Sequence, residues 1–266
     1  MNKLLQRGLT RSIIGAYYQV YNRLGHTYPE HIYEKAIIRE VRRRGIDCQQ
    51  QEEYQIFYKD HLVGIQQLDI FVAQEVVVEL KVLRSLNRRH KAQTISYMKT
   101  VEKQIGLLFN FGGQKPEFAR LIFTPKENSP ISSVPQTHWP DLLFPEITYQ
   151  VIGGLFEVHN QLGPGFIHRI YANASYREMQ IRGFEVVPLK EMMLFYRRQP
   201  LGNVKFAHMV IESEIMLFPV AISDITQIQQ NNLRSWMISQ GIELGILANF
   251  YPSRLDFRFI KVDEGR

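Results

Sequence analysis

The sequence predicts a mixed α/β protein made of two tandem copies of one domain. Residues of the two halves match at a constant offset of 138, as Gly15 does with Gly153, and of 139 after a one-residue slip, as Gly106 does with Gly245. In each copy, segments with helical spacing of apolar residues alternate with segments typical of strands. The matching region covers about a hundred residues, which is too long for one solenoid unit, so two complete domains are expected.

A proline- and serine-rich segment separates the two copies. Residues 125–140 (PKENSPISSVPQTHWP) contain four prolines and three serines and have no periodic apolar pattern, which is typical of a linker. We therefore predict a first domain over residues 1–127, a linker over residues 128–143 and a second domain over residues 144–266.

Each copy begins with two predicted helices. Apolar residues recur at helical spacing over residues 10–24, so one side of this segment should pack on a core. The second helix covers residues 30–44 and ends at Gly45, because glycine readily adopts the conformation that terminates a helix. A third helix is predicted over residues 88–102.

Five strands complete the unit and give the order ααβββαββ, a mixed sheet flanked by helices. The third strand is almost continuously apolar (VVVELKV), which is typical of a buried strand. The predicted strands are residues 53–59, 63–71, 76–82, 105–111 and 118–123.

The basic charge lies in the first half of the chain. Residues 1–140 carry 20 Lys and Arg against 13 Asp and Glu, whereas residues 141–266 carry 12 against 13. A one-sided basic domain is typical of a protein that binds a polyanion such as nucleic acid. The alternative is that the charge serves solubility.

Composition excludes several classes of protein. The chain is 45% hydrophobic and 22% charged, which argues against disorder. Its single cysteine, Cys48, excludes an intrachain disulfide and a cysteine-based zinc site, so a reducing, cytoplasmic location is expected. The first residues lack the apolar core of a signal peptide, and no apolar run approaches the roughly 20 residues of a membrane span, so no membrane partner is expected.

Three charged residues interrupt the apolar strands of the first copy. Asp69 lies on one predicted strand, while Glu79 and Lys81 point to the same side of the next because strand side chains alternate. Burying such groups is costly unless they are paired or bind an ion. A divalent cation held by the acids would explain them. The alternatives are a surface pair between Glu79 and Lys81 and a turn-capping role for Asp69.

This pattern resembles a known nuclease signature. Asp69 followed by Glu79-Leu80-Lys81 is similar to the D…(D/E)xK motif of the PD-(D/E)xK nuclease superfamily. The upstream segment LGHTYPEHIYEKA resembles the GxxExxY branch of that superfamily through Glu30 and Tyr33, although Thr27 replaces its glycine.

A downstream element strengthens the resemblance. Gln93 and Tyr97, four residues apart on a predicted helix, are similar to the Q-x-x-x-Y element of RecB-type members. In combination and in this order, the three motifs are specific. They imply two restriction-endonuclease-like domains, each with an αβββαβ core, and a metal-dependent nuclease acting on DNA, with RNA not excluded.

The resemblance also implies roles for individual residues. Mg²⁺ or Mn²⁺ would be held by Asp69, Glu79, the Leu80 carbonyl and Glu30. Lys81 would position or activate the attacking water. The implied catalytic set is Glu30, Asp69, Glu79, Lys81, Gln93 and Tyr97.

Several of these residues also have ordinary structural explanations. Glu30 could stabilise a helix N-terminus, Gln93 could be solvated, and Tyr97 could belong to the core. Basic residues follow the signature directly and are predicted to contact phosphates; a solvated basic turn is the alternative. This basic set is Arg84, Arg88, Arg89 and Lys91.

The second copy lacks the signature. At the constant offsets, Glu30, Asp69, Glu79, Lys81, Gln93 and Tyr97 correspond to His168, His208, Phe218, Val220, Asn232 and Trp236. This copy is therefore predicted to be an inactive pseudo-nuclease that supports the first, with a homodimer or a protein partner as the further expectation. The competing hypothesis is a non-catalytic protein that binds nucleic acid or assembles with other proteins.

Overall fold

The computed structural model of the protein describes residues 3–124, 142–197 and 199–262, with side chains from residue 7 onward. Most of the predicted linker, residues 128–141, lies outside the described residues. The chain divides into two compact units. One consists of Met1–Ile56 with Ile65–Lys126, and the other of Phe57–Gly64 with Glu127–Arg266.

The first copy has the predicted order of helices and strands, which is thereby confirmed. Its first strand begins at Cys48 rather than at residue 53, and its first helix begins at Lys3 rather than at residue 10. The elements are α1 (Lys3–Leu24), α2 (Glu30–Arg43), β1 (Cys48–Tyr58), β2 (His61–Val72), β3 (Val76–Lys81), α3 (Arg88–Thr100), β4 (Ile105–Asn110) and β5 (Glu117–Ile122).

The second copy repeats this order and adds a short 3₁₀ helix, Ile225–Gln227, before its third helix. Its elements are α4 (Pro145–Leu162), α5 (His168–Ile181), β6 (Val186–Tyr196), β7 (Gln199–Ile211), β8 (Ile215–Val220), α6 (Gln230–Ser239), β9 (Leu244–Asn249) and β10 (Asp256–Lys261). No helix among the described residues has the length and apolar character needed to cross a membrane.

Each copy contains one five-stranded mixed sheet. The strand order is β1-β2-β3-β4-β5 in the first and β10-β9-β8-β7-β6 in the second. In the first sheet, β3 is antiparallel to β2 and parallel to β4, and α3 connects the parallel pair. Strand β4 is buried throughout and β3 is buried up to Lys81, as expected of the centre of a sheet covered on both faces.

An aromatic cluster fixes the two N-terminal helices against the first sheet. The ring of Tyr17 stacks on Phe109 with 4.4 Å between centroids, and Tyr33 of α2 stacks on Phe111 at 4.1 Å. The Tyr17 hydroxyl donates to the Asn110 carbonyl at 2.7 Å and accepts from the backbone N–H of Glu117 at 2.9 Å. These contacts hold α2, and with it the residues that α2 brings to the sheet.

Replacement of Tyr17 by phenylalanine tests this anchor. The Tyr17→Phe variant should lose about 1–3 kcal/mol of unfolding free energy, because a buried carbonyl and a partly buried N–H lose their partner while the stacked ring stays. Urea denaturation measures this loss. Tyr18→Phe, which alters the exposed neighbouring tyrosine, is the matched control and should change stability little. Equal losses in both variants would contradict the assignment.

Candidate active site

The end of the β2–β3 pair brings two acids together. Strand β2 pairs with β3 in the register Ile70↔Val78, so the preceding residue of β2, Asp69, lies beside the following residue of β3, Glu79. The Asp69 side chain accepts a hydrogen bond from the Leu80 backbone N–H at 2.8 Å. This bond ties the orientation of one carboxylate to the strand that carries the other.

Glu79 is a buried carboxylate with one unsatisfied oxygen. It is 1% exposed. Its Oε1 accepts from the Lys81 ammonium at 2.5 Å, but no described residue donates to its Oε2. Burial, and next the charge of Asp69, raise the pKa of Glu79 well above its usual range. A buried oxygen without a partner is costly, so this atom favours an additional cationic or donor group.

The ammonium of Lys81 lies among three oxygen atoms. It donates to Glu79, donates to the Leu80 carbonyl at 2.8 Å, and lies 3.8 Å from Glu30 Oε1. Burial opposes its charge, yet the surrounding carboxylates prevail and raise the pKa of Lys81. The alternative explanation of Glu79 and Lys81 as a surface pair is therefore wrong, because Glu79 is buried. Lys81 is held charged beside the acids.

Helix α2 contributes a pair of acids rather than one. Carboxylate oxygens of Glu30, Glu34 and Asp69 lie within 4.8 Å of one another, a spacing that could hold a metal ion. Glu34 is buried and accepts from the side-chain amides of Gln50 and Gln51, both at 3.1 Å. Sequence reasoning missed Glu34. The available signal was its position four residues after Glu30, which places both acids on one face of the helix.

The electrostatics of Glu30 connect this pair to Lys81. Partial burial of its carboxyl raises the pKa of Glu30, and the nearby charge of Lys81 counteracts this effect. Glu30 follows Pro29, which occupies the N-cap position without a side-chain hydrogen bond. A role at the helix N-terminus and a role in the acidic cluster are thus compatible, because the helix dipole also favours a carboxylate there.

Gln93 and Tyr97 lie together on α3 as predicted. The Gln93 amide donates to the Tyr97 hydroxyl at 2.6 Å. Burial, followed by the charge of Glu79, raises the pKa of Tyr97. Tyr97 also packs against a small apolar cluster that includes Leu68 and Met98. Its ring therefore belongs partly to the core, while its hydroxyl is within electrostatic reach of the acids.

The four predicted phosphate contacts, Arg84, Arg88, Arg89 and Lys91, are all exposed. Helix α3 starts at Arg88 after Asn87, whose side chain accepts from the N–H groups of Arg89 and His90. The first turn contains no acid. Cations at a helix N-terminus oppose the helix dipole, so their position there is not explained by helix stability and leaves the charges available to an anion.

The corresponding place in the second copy is filled by aromatic rings. His208 stacks on Phe218 with 5.6 Å between centroids, and its Nε2 accepts from the Trp236 indole N–H at 2.8 Å. Val220 is buried, and the position of Glu34 is taken by the buried Ala172. Within the part of the chain that the structure describes, the set of three potential metal ligands belongs to the first copy.

The donor set of the first copy fits a hard divalent cation. Mg²⁺ and Mn²⁺ prefer carboxylate, carbonyl and water oxygens. Glu30, Glu34 and Asp69 supply such oxygens within 4.8 Å of one another. Glu79 is not part of that set, but it lies beside Asp69 in the register of β2 and β3, and its Oε2 has no partner among the described residues.

Comparison with known proteins agrees with this geometry. The sequence profile of the PD-(D/E)XK nuclease superfamily matches residues 7–121 and, a second time, residues 145–261. Each matched segment contains one of the two mixed sheets. The two matches confirm the predicted tandem duplication and the predicted nuclease fold. No curated protein and no solved structure gives a match.

Metal binding can be measured without any assay of activity. Free Mn²⁺ at about 100 times its dissociation constant should stabilise the protein by about 2.7 kcal/mol, because it binds the folded state. The Asp69→Asn variant keeps an oxygen for the Leu80 N–H but loses a ligand charge, so its thermal unfolding midpoint should respond much less. Glu53→Gln removes one charge from an exposed position. Mn²⁺ should raise the unfolding midpoint of this control variant as much as that of the wild type. An undiminished response in Asp69→Asn would contradict the site.

Proposed function

Because the chain belongs to the PD-(D/E)XK nuclease superfamily, we propose that it is a metal-dependent nuclease that hydrolyses phosphodiester bonds in DNA. The observation that supports this most directly is the meeting of clustered carboxylates with the buried Glu79–Lys81 pair in the first copy. The GxxExxY branch within the superfamily stays a prediction. RNA is the alternative substrate of the same chemistry.

We propose that Mg²⁺ or Mn²⁺ would be held by Asp69 and Glu79, with Glu30 and Glu34 as further carboxylates. When bound, such a cation supplies Lewis-acid activation of a phosphate and of a water molecule. The Leu80 carbonyl, the fourth predicted ligand, accepts from Lys81. It becomes free to act as a ligand when the ammonium turns away.

The movement of the Lys81 ammonium away from the Leu80 carbonyl would also allow Lys81 to act in the reaction. An ammonium released from the Leu80 carbonyl can hold the attacking water and offset the charge that develops on the phosphate. Gln93 and Tyr97 would orient the scissile region, since their hydrogen-bonded pair is close enough to the acids for the charge of Glu79 to affect Tyr97. Arg84, Arg88, Arg89 and Lys91 would hold the nucleic-acid backbone.

We propose that the second copy, over residues 144–266, is a pseudo-nuclease, and that the active domain covers residues 1–127. The aromatic cluster of His208, Phe218 and Trp236 offers no carboxylate to a cation. Its fold could support the first domain, a homodimer or another protein.

One observation favours a second candidate function, nucleic-acid binding without cleavage. The ammonium of Lys81 already pairs with Glu79 within the protein, so the site satisfies part of its charge without a cation. In that case the exposed basic residues would bind DNA while the acids served only the fold.

Replacement of Lys81 distinguishes the two functions. With Mn²⁺ and linear, circular or single-stranded DNA, the Lys81→Met variant should cleave roughly 10²–10⁴-fold more slowly than the wild type, because a positioned proton-transfer group contributes about that much. Lys103→Met removes another partly buried, paired lysine of the first unit and should retain activity. A wild-type protein that binds every DNA form but cuts none would establish the non-catalytic alternative.

The basic residues of α3 can be tested by the salt dependence of binding. In a Lys81→Met background, which keeps the DNA intact, the double change Arg88→Gln and Arg89→Gln should weaken binding. It should also reduce the slope of log affinity against log salt by roughly 0.9 for each phosphate that the protein no longer neutralises.

The control removes the same charge from the second copy. Arg254→Gln with Arg258→Gln alters two exposed arginines there and should leave affinity and slope unchanged. Equal effects of the two pairs would mean that binding depends on net charge rather than on the N-terminus of α3.

A further inference from the structure

The tip of the β1–β2 hairpin, Phe57–Gly64, belongs to the second unit. Within that unit, the Tyr58 hydroxyl donates to Glu178 Oε2 at 2.8 Å, and the Lys59 ammonium contacts the same oxygen at 2.6 Å. The Asn173 amide donates to the Val63 carbonyl at 2.7 Å. Helix α5 thus binds a hairpin tip through one acid and one side-chain donor.

Two side chains of this hairpin tip are buried where it is bound. Tyr58 is 0% and Val63 is 1% exposed. Burial raises the pKa of the Glu178 carboxyl, but hydrogen bonds from Lys59, Tyr58 and Arg182 prevail and hold that pKa below its ordinary value. The carboxylate is therefore the charged centre of the contact.

The β6–β7 hairpin of the second copy carries the same recognition elements but exposes them. Tyr196 and Leu201, which correspond to Tyr58 and Val63, are 61% and 69% exposed. The Arg197 guanidinium lies 5.5 Å from the Tyr196 ring centroid, just as Lys59 lies 5.3 Å from that of Tyr58. The second hairpin thus presents a matching aromatic and cationic pair to solvent.

The first unit has a groove whose residues correspond to those of α5 that bind the first hairpin tip. A cavity of about 550 Å³ lies along α1 and α2 and includes Lys35, Ala36 and Glu40 among its lining residues. Glu40 corresponds to Glu178, and Lys35 corresponds to Asn173. The groove therefore offers an acid for a tyrosine hydroxyl and a cation, and an ammonium that can donate to a backbone carbonyl.

We propose that this groove binds the β6–β7 hairpin of a second copy of the chain. Tyr196 and Arg197 would contact Glu40 of the second molecule, and Lys35 would donate to the Leu201 carbonyl. Because the two surfaces differ, the contact is heterologous: the molecule that inserts its hairpin keeps a free groove, and the molecule that receives it keeps a free hairpin. The contact does not depend on cleavage of nucleic acid.

The charges of the groove define how the contact responds to salt. Arg23, Lys35, Arg39 and Arg43 line it together with Glu40. Arg43 and Arg44 already pair with Glu40. The Arg43 side chain is 65% exposed and can turn away. Arg44 can stay, because the corresponding Arg182 bonds Glu178 beside the bound hairpin of the second unit. A basic hairpin entering a basic groove is weakened by repulsion, which salt screens. Direct self-association should therefore become stronger as the salt concentration rises. If nucleic acid instead held two protein molecules together, the association would become weaker with salt.

Two variants with complementary defects test the proposal. In the groove variant, Ala36→Trp fills the cavity. In the hairpin variant, Tyr196→Ala and Arg197→Ala remove the pair that enters it. In sedimentation experiments on the full chain, freed of nucleic acid, the wild type should gain mass with concentration. Each variant alone should stay monomeric. Their mixture should form a one-to-one heterodimer, because one intact hairpin and one intact groove are still present.

Further variants separate a specific contact from a folding defect. Glu40→Gln should weaken the groove contact without adding bulk. Tyr251→Ala, which removes another exposed tyrosine of the second copy, should associate like the wild type. A wild type that is monomeric at every concentration would overturn the proposal. So would a mixture that fails to pair, or an association that salt weakens.

Discussion

The candidate site of the first unit depends on keeping like charges close together inside an apolar sheet. Glu79 is buried on a strand of valine and leucine, and Asp69 lies beside it on the neighbouring strand. Carboxylates repel one another more strongly where water is excluded. The ammonium of Lys81 offsets part of this repulsion, and the hydrogen bond from the Leu80 N–H fixes one acid in place. What is left unsatisfied, one buried oxygen of Glu79, is the feature that makes the site receptive to a cation.

The second copy shows that the fold itself does not require these charges. It keeps the order of elements and the sheet topology of the first. At the positions of Asp69 and Glu79, His208 stacks on Phe218. The His208 ring also accepts a hydrogen bond from Trp236, which stands at the position of Tyr97. Aromatic packing stabilises such a position, whereas a cluster of buried acids costs stability unless paired. The charged cluster of the first copy is therefore better explained by chemistry than by folding, and this reasoning supports a division of labour between the copies.

Much of this arrangement could be predicted from the sequence because its signals are local. Apolar periodicity located the helices and the buried strand, and the acid–lysine spacing identified Asp69, Glu79 and Lys81. The early start of β1 was missed because the segment after Cys48 (QQQEE) is polar and only intermittently buried, so it lacks strand alternation. Glu34 was missed because its burial is created by contacts with β1, including Gln50 and Gln51. An acid on a helix is ordinarily solvated, and only tertiary structure reveals the exception.

Duplication has a further consequence for surfaces outside the site. A chain with two similar domains inherits two hairpins and two helical grooves. In the second unit, Tyr58 and Val63 of one hairpin are buried. One hairpin and one helical groove are therefore already occupied. The other hairpin still exposes Tyr196 and Leu201, and large apolar side chains exposed together commonly mark an interaction surface. The first copy provides the carboxylate of Glu40 for such a hairpin, so the proposed assembly does not depend on the acid–lysine signature that the second copy lacks.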